Sequence, residues 1–269
     1  MPVDNEIYNA PGDIWWDEHQ PLNAIRTAIN PARLDYFIRV LGEVGIDPAG
    51  KTMVDIGCGG GLFAEEFARL GARVIGVDPS ASSLETARDH AASMGLGIDY
   101  RAGTGEQLPL EDASVDIACC VDVLEHVNNL EAVIAETARV LRPDGVYLFD
   151  TINRTAMSKL VVIKLLQDWR FTAWMPRDLH AWDQFITPGE LRAAPEPASA
   201  PGSRHRRSRA GGQAPSPHPP PLATPPGEDL ARGVWPPGPV RCDQGPARLL
   251  RGVCNQSRRP GLTSSPCRA

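Results

Sequence analysis

From residue 51 onward the chain alternates two hydrophobic rhythms. Short, largely apolar runs at Met53–Gly57, Arg73–Val77, Ser114–Val121 and Val146–Asp150 read as strands, with a briefer one at Ile98–Arg101. The run Ser114–Val121 is apolar apart from Ser114 and Asp116, as in a strand buried on both faces. Between the strands lie segments of helical period: Leu62–Leu70, Ser83–Met94 and Leu130–Leu141. In the last of these, Leu130, Val133, Ile134, Thr137 and Leu141 share a side. Ser80 or Ser82 suits the N-cap of the second, and Arg142-Pro143-Asp144-Gly145 predicts the end of the third. Upstream, Leu34, Phe37, Ile38 and Leu41 fall on one face of a helix over Pro31–Val44, with Pro31 in its first turn. Strand and helix in strict alternation predict an α/β fold with a parallel sheet and right-handed crossovers.

The first strand runs into a loop that is nearly all glycine (VDIGCGGG, Val54–Gly61), and the second ends in VIGVDPS (Val74–Ser80). Glycine allows a sharp turn and close approach of a ligand. The helix pattern follows at once, so the loop delivers unpaired N–H groups at a helix start. Asp78 ends the second run, where a carboxylate can accept from a ribose diol. The dinucleotide fingerprint needs glycine at its first, third and sixth positions. Gly57 and Gly59 fill the first two of these, but Leu62 stands at the sixth position. Asp55 would add negative charge beside a pyrophosphate. It suits a cationic nucleoside with an amino group and no phosphate, and S-adenosylmethionine is such a ligand. A tight turn in an α/β domain without a nucleotide is the alternative.

DIGCGGG followed by GVDPS resembles the nucleoside site of class I S-adenosylmethionine-dependent methyltransferases. FDTINRT (Phe149–Thr155), HAWDQFITPGEL (His180–Leu191), WWDE (Trp15–Glu18), INPARLDY (Ile29–Tyr36) and VLEHV (Val123–Val127) are similar to the ubiquinone-biosynthesis O-methyltransferases. The resemblance spans residues 4–192. It implies a Rossmann-like doubly wound sheet, and O-methylation of a polyprenylated catechol. It further implies that Gly57 contacts the methionine part of the cofactor and Asp78 the ribose, with Val121 beside the cofactor through its backbone. Arg33 matches a cofactor-contacting arginine, whose guanidinium can fork onto a carboxylate; spacing alone reads it as an exposed helix arginine. Glu106 is expected near the adenine edge, or as a solvated loop residue.

Asp122, Glu125 and His126 follow the fourth strand at spacings that converge on one side of a helical turn. Such a set suits Mg2+ or another oxygen-preferring divalent cation, and the resembling family carries an acidic residue, Glu and His at these places. Asp122 is shorter than the usual Glu. The alternative is that Glu125 and His126 cap the helix start. His126 is also a candidate general base, and the resemblance places His180 beside the substrate as a second one.

Composition divides the chain. Residues 1–194 carry 16 basic against 29 acidic side chains, a net charge of −13, which argues against nucleic acid as a substrate. Residues 195–269 hold 16 prolines and 11 arginines but no Lys, Ile, Phe, Tyr or Met, and carry +7. That composition predicts a disordered tail. One reading is a basic segment for an acidic partner or RNA. The preferred one is out-of-frame translation of a GC-rich gene, with the last two strands of the fold missing. Three regions follow: an N-terminal helical cap (1–50), the methyltransferase core (51–194) with an insert at 156–182, and the tail. Within the insert, residues 156–176 interleave apolar and aromatic side chains with Lys164 and Arg170, as expected of a substrate-covering helix, a peripheral membrane contact, or both. No run of 18 apolar residues spans a bilayer. The first residues lack a secretory pattern, and six scattered cysteines fit a reduced, cytoplasmic setting. The alternatives to the ubiquinone reading are methylation of a phenolic or polyketide secondary metabolite, and an inactive remnant.

Overall fold

In this computed structural model, the described residues are 5–9, 14–20, 22–23, 25–173, 175–193 and 251–254. The sheet is parallel; its first five strands lie in the order β3-β2-β1-β4-β5, and a short sixth joins beyond β5. They are β1 (Thr52–Ile56), β2 (Arg73–Asp78), β3 (Asp99–Ala102), β4 (Val115–Val121) and β5 (Leu141–Thr151). The helices are α1 (Asn30–Glu43), α2 (Leu62–Arg69), α3 (Ala81–Ser93), α4 (Leu130–Val140), α5 (Ala156–Ser158) and α6 (Pro188–Ala193). A π-helical stretch, Lys159–Asp168, continues α5, and another, Ile25–Ile29, leads into α1.

Alternate residues of the central strands feed two apolar layers. Met53, Ile117 and Cys119 pack on one side with Phe37 and Leu41 of α1 and Phe63 and Phe67 of α2. Val54, Ile56, Ala118 and Cys120 pack on the other with Val133 and Val140 of α4. Both faces are therefore covered, which explains why these strands read as continuous apolar runs rather than alternating ones. Strand order reverses between β1 and β4, and their carboxyl ends form the crevice where such sheets bind ligands. Ser80 is the N-cap of α3, accepting from the Ser83 amide at 3.2 Å.

Two expectations are corrected. Arg142–Gly145 does not separate α4 from the strand. It lies inside β5, which pairs Leu141 with Val115 and then Val146 with Ile117, so the turn residues are looped out of register and Asp144 takes φ 66°. The tail is not structureless at every position, because Arg251–Cys254 form β6, parallel to β5. The rest of residues 195–269, like Trp174, lies outside the described residues. No strand is described between Thr151 and Arg251. No described helix is long and apolar enough to cross a membrane.

Candidate active site

The crevice is a cavity of about 420 Å³ at the carboxyl ends of β1, β2 and β4. Asp55, Gly57, Asp78, Glu106, Val121, Asp122 and His126 all line it. The fold brings these seven, from separate parts of the chain, onto the walls of one cavity.

Gly57, at φ 70°, accepts a turn that side chains resist, and a Cβ there would lie 2.4 Å from Val123 Cγ2. Asp78 braces the loop: Oδ2 accepts from the Gly59 amide and Oδ1 from the Ser80 amide, both at 2.8 Å. Each oxygen keeps a lone pair for a diol. Asp55 is buried, and its Oδ2 has no hydrogen-bond partner. Burial, with Asp78 nearby, pushes its pKa up to about 7. An unpaired, buried carboxylate on the cavity wall fits the amino group of S-adenosylmethionine, which would restore its negative charge. Binding then favours the ionised form, so affinity for S-adenosylmethionine is expected to rise with pH between 5.5 and 7, by up to about tenfold per unit. Calorimetry across that range measures this, and Asp55→Asn is expected to flatten the dependence.

Two of the glycines serve a different neighbour from the one expected. A Cβ on Gly59 or Gly60 would strike the Trp15 ring at 2.5 or 2.3 Å. Trp16 Nε1 donates to the Gly60 carbonyl at 2.8 Å, and its ring stacks on His90 with centroids 3.4 Å apart. Trp15 Nε1 donates to Ser83 Oγ at 3.1 Å. Tyr8 stacks on Trp15 at 5.7 Å, and its carbonyl accepts from the hydroxyls of Ser80, Ser82 and Ser83. The N-terminal segment is therefore strapped across the glycine loop. Residue reasoning gave Tyr8, Trp15 and Trp16 no role. The paired tryptophans in a stretch otherwise poor in apolar residues were the available signal.

Arg33 does not present a free fork. Its Nη1 and Nη2 donate to Asp122 at 2.6 Å each, and Nε and Nη2 reach Asp150 at 2.9 and 3.3 Å. Nη1 also reaches Asn30 Oδ1 at 3.3 Å. Burial opposes its charge, but the two carboxylates outweigh that and raise its pKa. Arg33 is thus a clamp across the ends of β4 and β5. Asp122 turns both oxygens to Arg33 and is not among the side chains whose donor atoms converge with those of Glu125 and His126.

A different trio converges. Glu125, His126 and His180 each offer a donor atom, and the three lie within 4.8 Å of one another. Thr151 Oγ1 donates to Glu125 Oε2 at 2.7 Å, leaving Oε1 without a partner, as are Nδ1 of His126 and of His180. Burial, reinforced by Asp122, pushes Glu125 up to about 8. Burial and the neighbouring His180 pull His126 down to about 4, and burial lowers His180. Both imidazoles are therefore neutral at pH 7 and present lone pairs. Glu106 is held at the rim, where its Oε1 accepts from the Asn128 amide at 3.1 Å.

Residues 54–149 match the methyltransferase domain family. The chain is 38% identical over 189 residues to the ubiquinone biosynthesis O-methyltransferase of Methylobacterium sp. (strain 4-46), covering 68% of this chain and 75% of that protein. It is 40% identical over 184 residues to the protein of the same name from Ruegeria pomeroyi, covering 66% and 73%. The chain belongs to this O-methyltransferase family. It is an S-adenosylmethionine-dependent methyltransferase.

Proposed function

We propose that this chain methylates a phenolic hydroxyl of a prenylated catechol, a precursor of ubiquinone. The relatives' name supports the substrate class. The observation that carries the reading is the single cavity, which runs from Asp55 and Asp78 to Asp122 and His126 and so joins a nucleoside end to an acceptor end. S-adenosylmethionine supplies an electrophilic methyl carbon on a sulfonium. In this reading Gly57 admits its methionine part, Asp78 holds its ribose, Asp55 pairs with its amino group, and Val121 and Glu106 border it. Rate comes mainly from lining up acceptor oxygen and methyl carbon.

The acceptor must lose a proton. A phenol with a pKa of ~10 is almost wholly protonated at neutral pH. His126 is neutral there and can accept, but with its own pKa near 4 it is a poor base for so weak an acid. His180 is lowered in the same direction. A divalent cation beside Glu125 and His126 supplies the positive charge that makes a neighbouring phenol more acidic. Glu125, His126 and His180, whose donor atoms lie within 4.8 Å of one another, would hold such an ion.

The stretch after β5 supports contact with a lipid surface from the cytoplasmic side. Met157, Leu160, Val161, Trp169 and Phe171 are exposed there, with Lys159, Lys164 and Arg170 among them. A prenylated substrate resides at such a surface.

The test is a methyl-transfer assay with S-adenosylmethionine that compares a short-chain prenyl catechol with soluble phenols lacking the chain. Methylation of the prenyl catechol, at a kcat/KM at least tenfold above the soluble phenols, is expected. Preference for the soluble phenols would move the chain to secondary-metabolite chemistry, and no transfer to any acceptor would leave it an inactive relative.

A further inference from the structure

We infer that Trp16 is a positioning residue. Stacked on His90 outside the cavity, it holds Tyr8 and Trp15 over the cofactor crevice, and this cover must lift for S-adenosylmethionine to enter or leave. The inference rests on the reading of that crevice as the methyl-donor site.

Three observations carry it. The first is what covers the cavity. Tyr8 and Trp15 line it together with Asp55, Gly57 and Asp78. The Trp15 ring rests on Gly59 and Gly60, where a Cβ would fall 2.5 and 2.3 Å from it. Tyr8 touches both ends of the cavity. Its carbonyl accepts from the hydroxyls of Ser80 and Ser83 at 2.8 and 2.9 Å, and its ring meets the His126 ring edge-on, with centroids 6.1 Å apart. A ligand reaching from Asp78 to His126 therefore passes these two aromatic side chains.

The second observation is how the cover is fastened. Neither Trp16 nor His90 is among the described residues that line the cavity. Yet the Trp16 ring stacks on His90 with planes 7° from parallel, and the Arg26 guanidinium lies 5.5 Å from its centroid. His90 is a fixed platform: its Nδ1 lies 2.6 Å from Oε1 of Glu65, a fully buried side chain of α2 whose other oxygen accepts from Arg69 at 2.6 Å. Buried Asn23 donates to the carbonyls of Trp15 and Trp16 at 3.2 and 3.1 Å, so the two tryptophans are tied to one support. The third observation is what the fastening lacks. Asn5–Asn9 is a single 3-10 helix, and no residue described before β1 pairs with the sheet. Rings and side-chain hydrogen bonds, without a strand ladder, hold the cover down. Such segments open locally at lower cost than the core, and covers of this kind govern how fast ligands exchange.

The experiment measures both rate constants for S-adenosylmethionine on the full chain. Association is followed by stopped-flow tryptophan fluorescence, and release by chasing radiolabelled S-adenosylmethionine with an unlabelled excess. A cover slows entry as well as exit, because association that waits on a conformational change is slowed; a plain wall contact slows exit alone. Trp16→Leu and His90→Ala are each expected to raise both rate constants at least fivefold, while calorimetric affinity weakens less than tenfold. Trp16→Phe keeps a stacked ring and is expected to stay within threefold of the unaltered chain. Circular dichroism shows which variants are folded, and His90→Ala, altered on α3 rather than in the cover, decides the matter if Trp16→Leu is not. Faster release with unchanged association, or no change in either rate, would overturn the assignment of Trp16 alone. No binding of S-adenosylmethionine by the unaltered chain would overturn it together with the reading of the crevice.

Discussion

Arg33→Met is expected to destabilise the folded chain by about 3 kcal/mol, toward the lower end of what breaking a buried ion pair costs. Arg33 is mostly buried, with 13% of its side chain exposed, and it answers both Asp122 and Asp150. Methionine fills similar space but leaves two carboxylates side by side with no cation. Asp122 also takes a left-handed backbone conformation, φ 54°, which the two-pronged bond to Arg33 holds in place. Even with the arginine present, burial keeps Asp150 at about 6, so the pair is costly to leave without its cation. Urea denaturation at pH 7 measures the loss. Adding Asp122→Asn and Asp150→Asn to Arg33→Met is expected to recover at least half of it, because the stranded charges are then gone. A single-variant loss below about 1 kcal/mol would place the clamp among weak surface pairs.

Gly57→Ala is expected to lower affinity for S-adenosylmethionine at least tenfold, or about 1.4 kcal/mol. Two costs combine. A side chain at φ 70° is strained by roughly 1–2 kcal/mol, and the new methyl group would meet Val123 at 2.4 Å. Val123 follows Val121 and Asp122 on the cavity wall, so relief of that clash displaces the wall itself. Gly95→Ala is the matched control. Its φ is 69°, yet a Cβ there meets nothing within 4 Å. It carries the backbone strain without the collision, and its affinity for the cofactor is expected to stay within twofold of the unaltered chain.

The architecture was legible because burial on both faces leaves a plain mark in sequence. Runs such as Val115–Val121 have no polar side to show, and the helices between them keep their period. The glycine loop and the place of Asp78 were legible for a related reason: they are local, and their geometry follows from consecutive residues. Arg142–Gly145 misled because proline and glycine mark a turn equally well between elements and within a bulge of one strand. The acceptor end was only half legible. Glu125 and His126 are neighbours, but His180 reaches them through the fold. Arg33 meets Asp122 and Asp150 from 89 and 117 residues away. Spacing on one helix cannot reveal such partners, and Asp122, at the right interval for a ligand, was taken by the nearer cation. Trp15 shows the same limit, since the space beside Gly59 and Gly60 that suggested a ligand is filled by a ring from the N-terminal strap.

The most direct measurement is calorimetric titration of the full chain with S-adenosylmethionine at pH 7, alongside Gly57→Ala and Gly95→Ala. One site per chain, weakened at least tenfold by the first substitution and unmoved by the second, is the predicted result. Absence of binding, or binding that ignores Gly57, would contradict the claim that the crevice at the ends of β1, β2 and β4 holds the methyl donor.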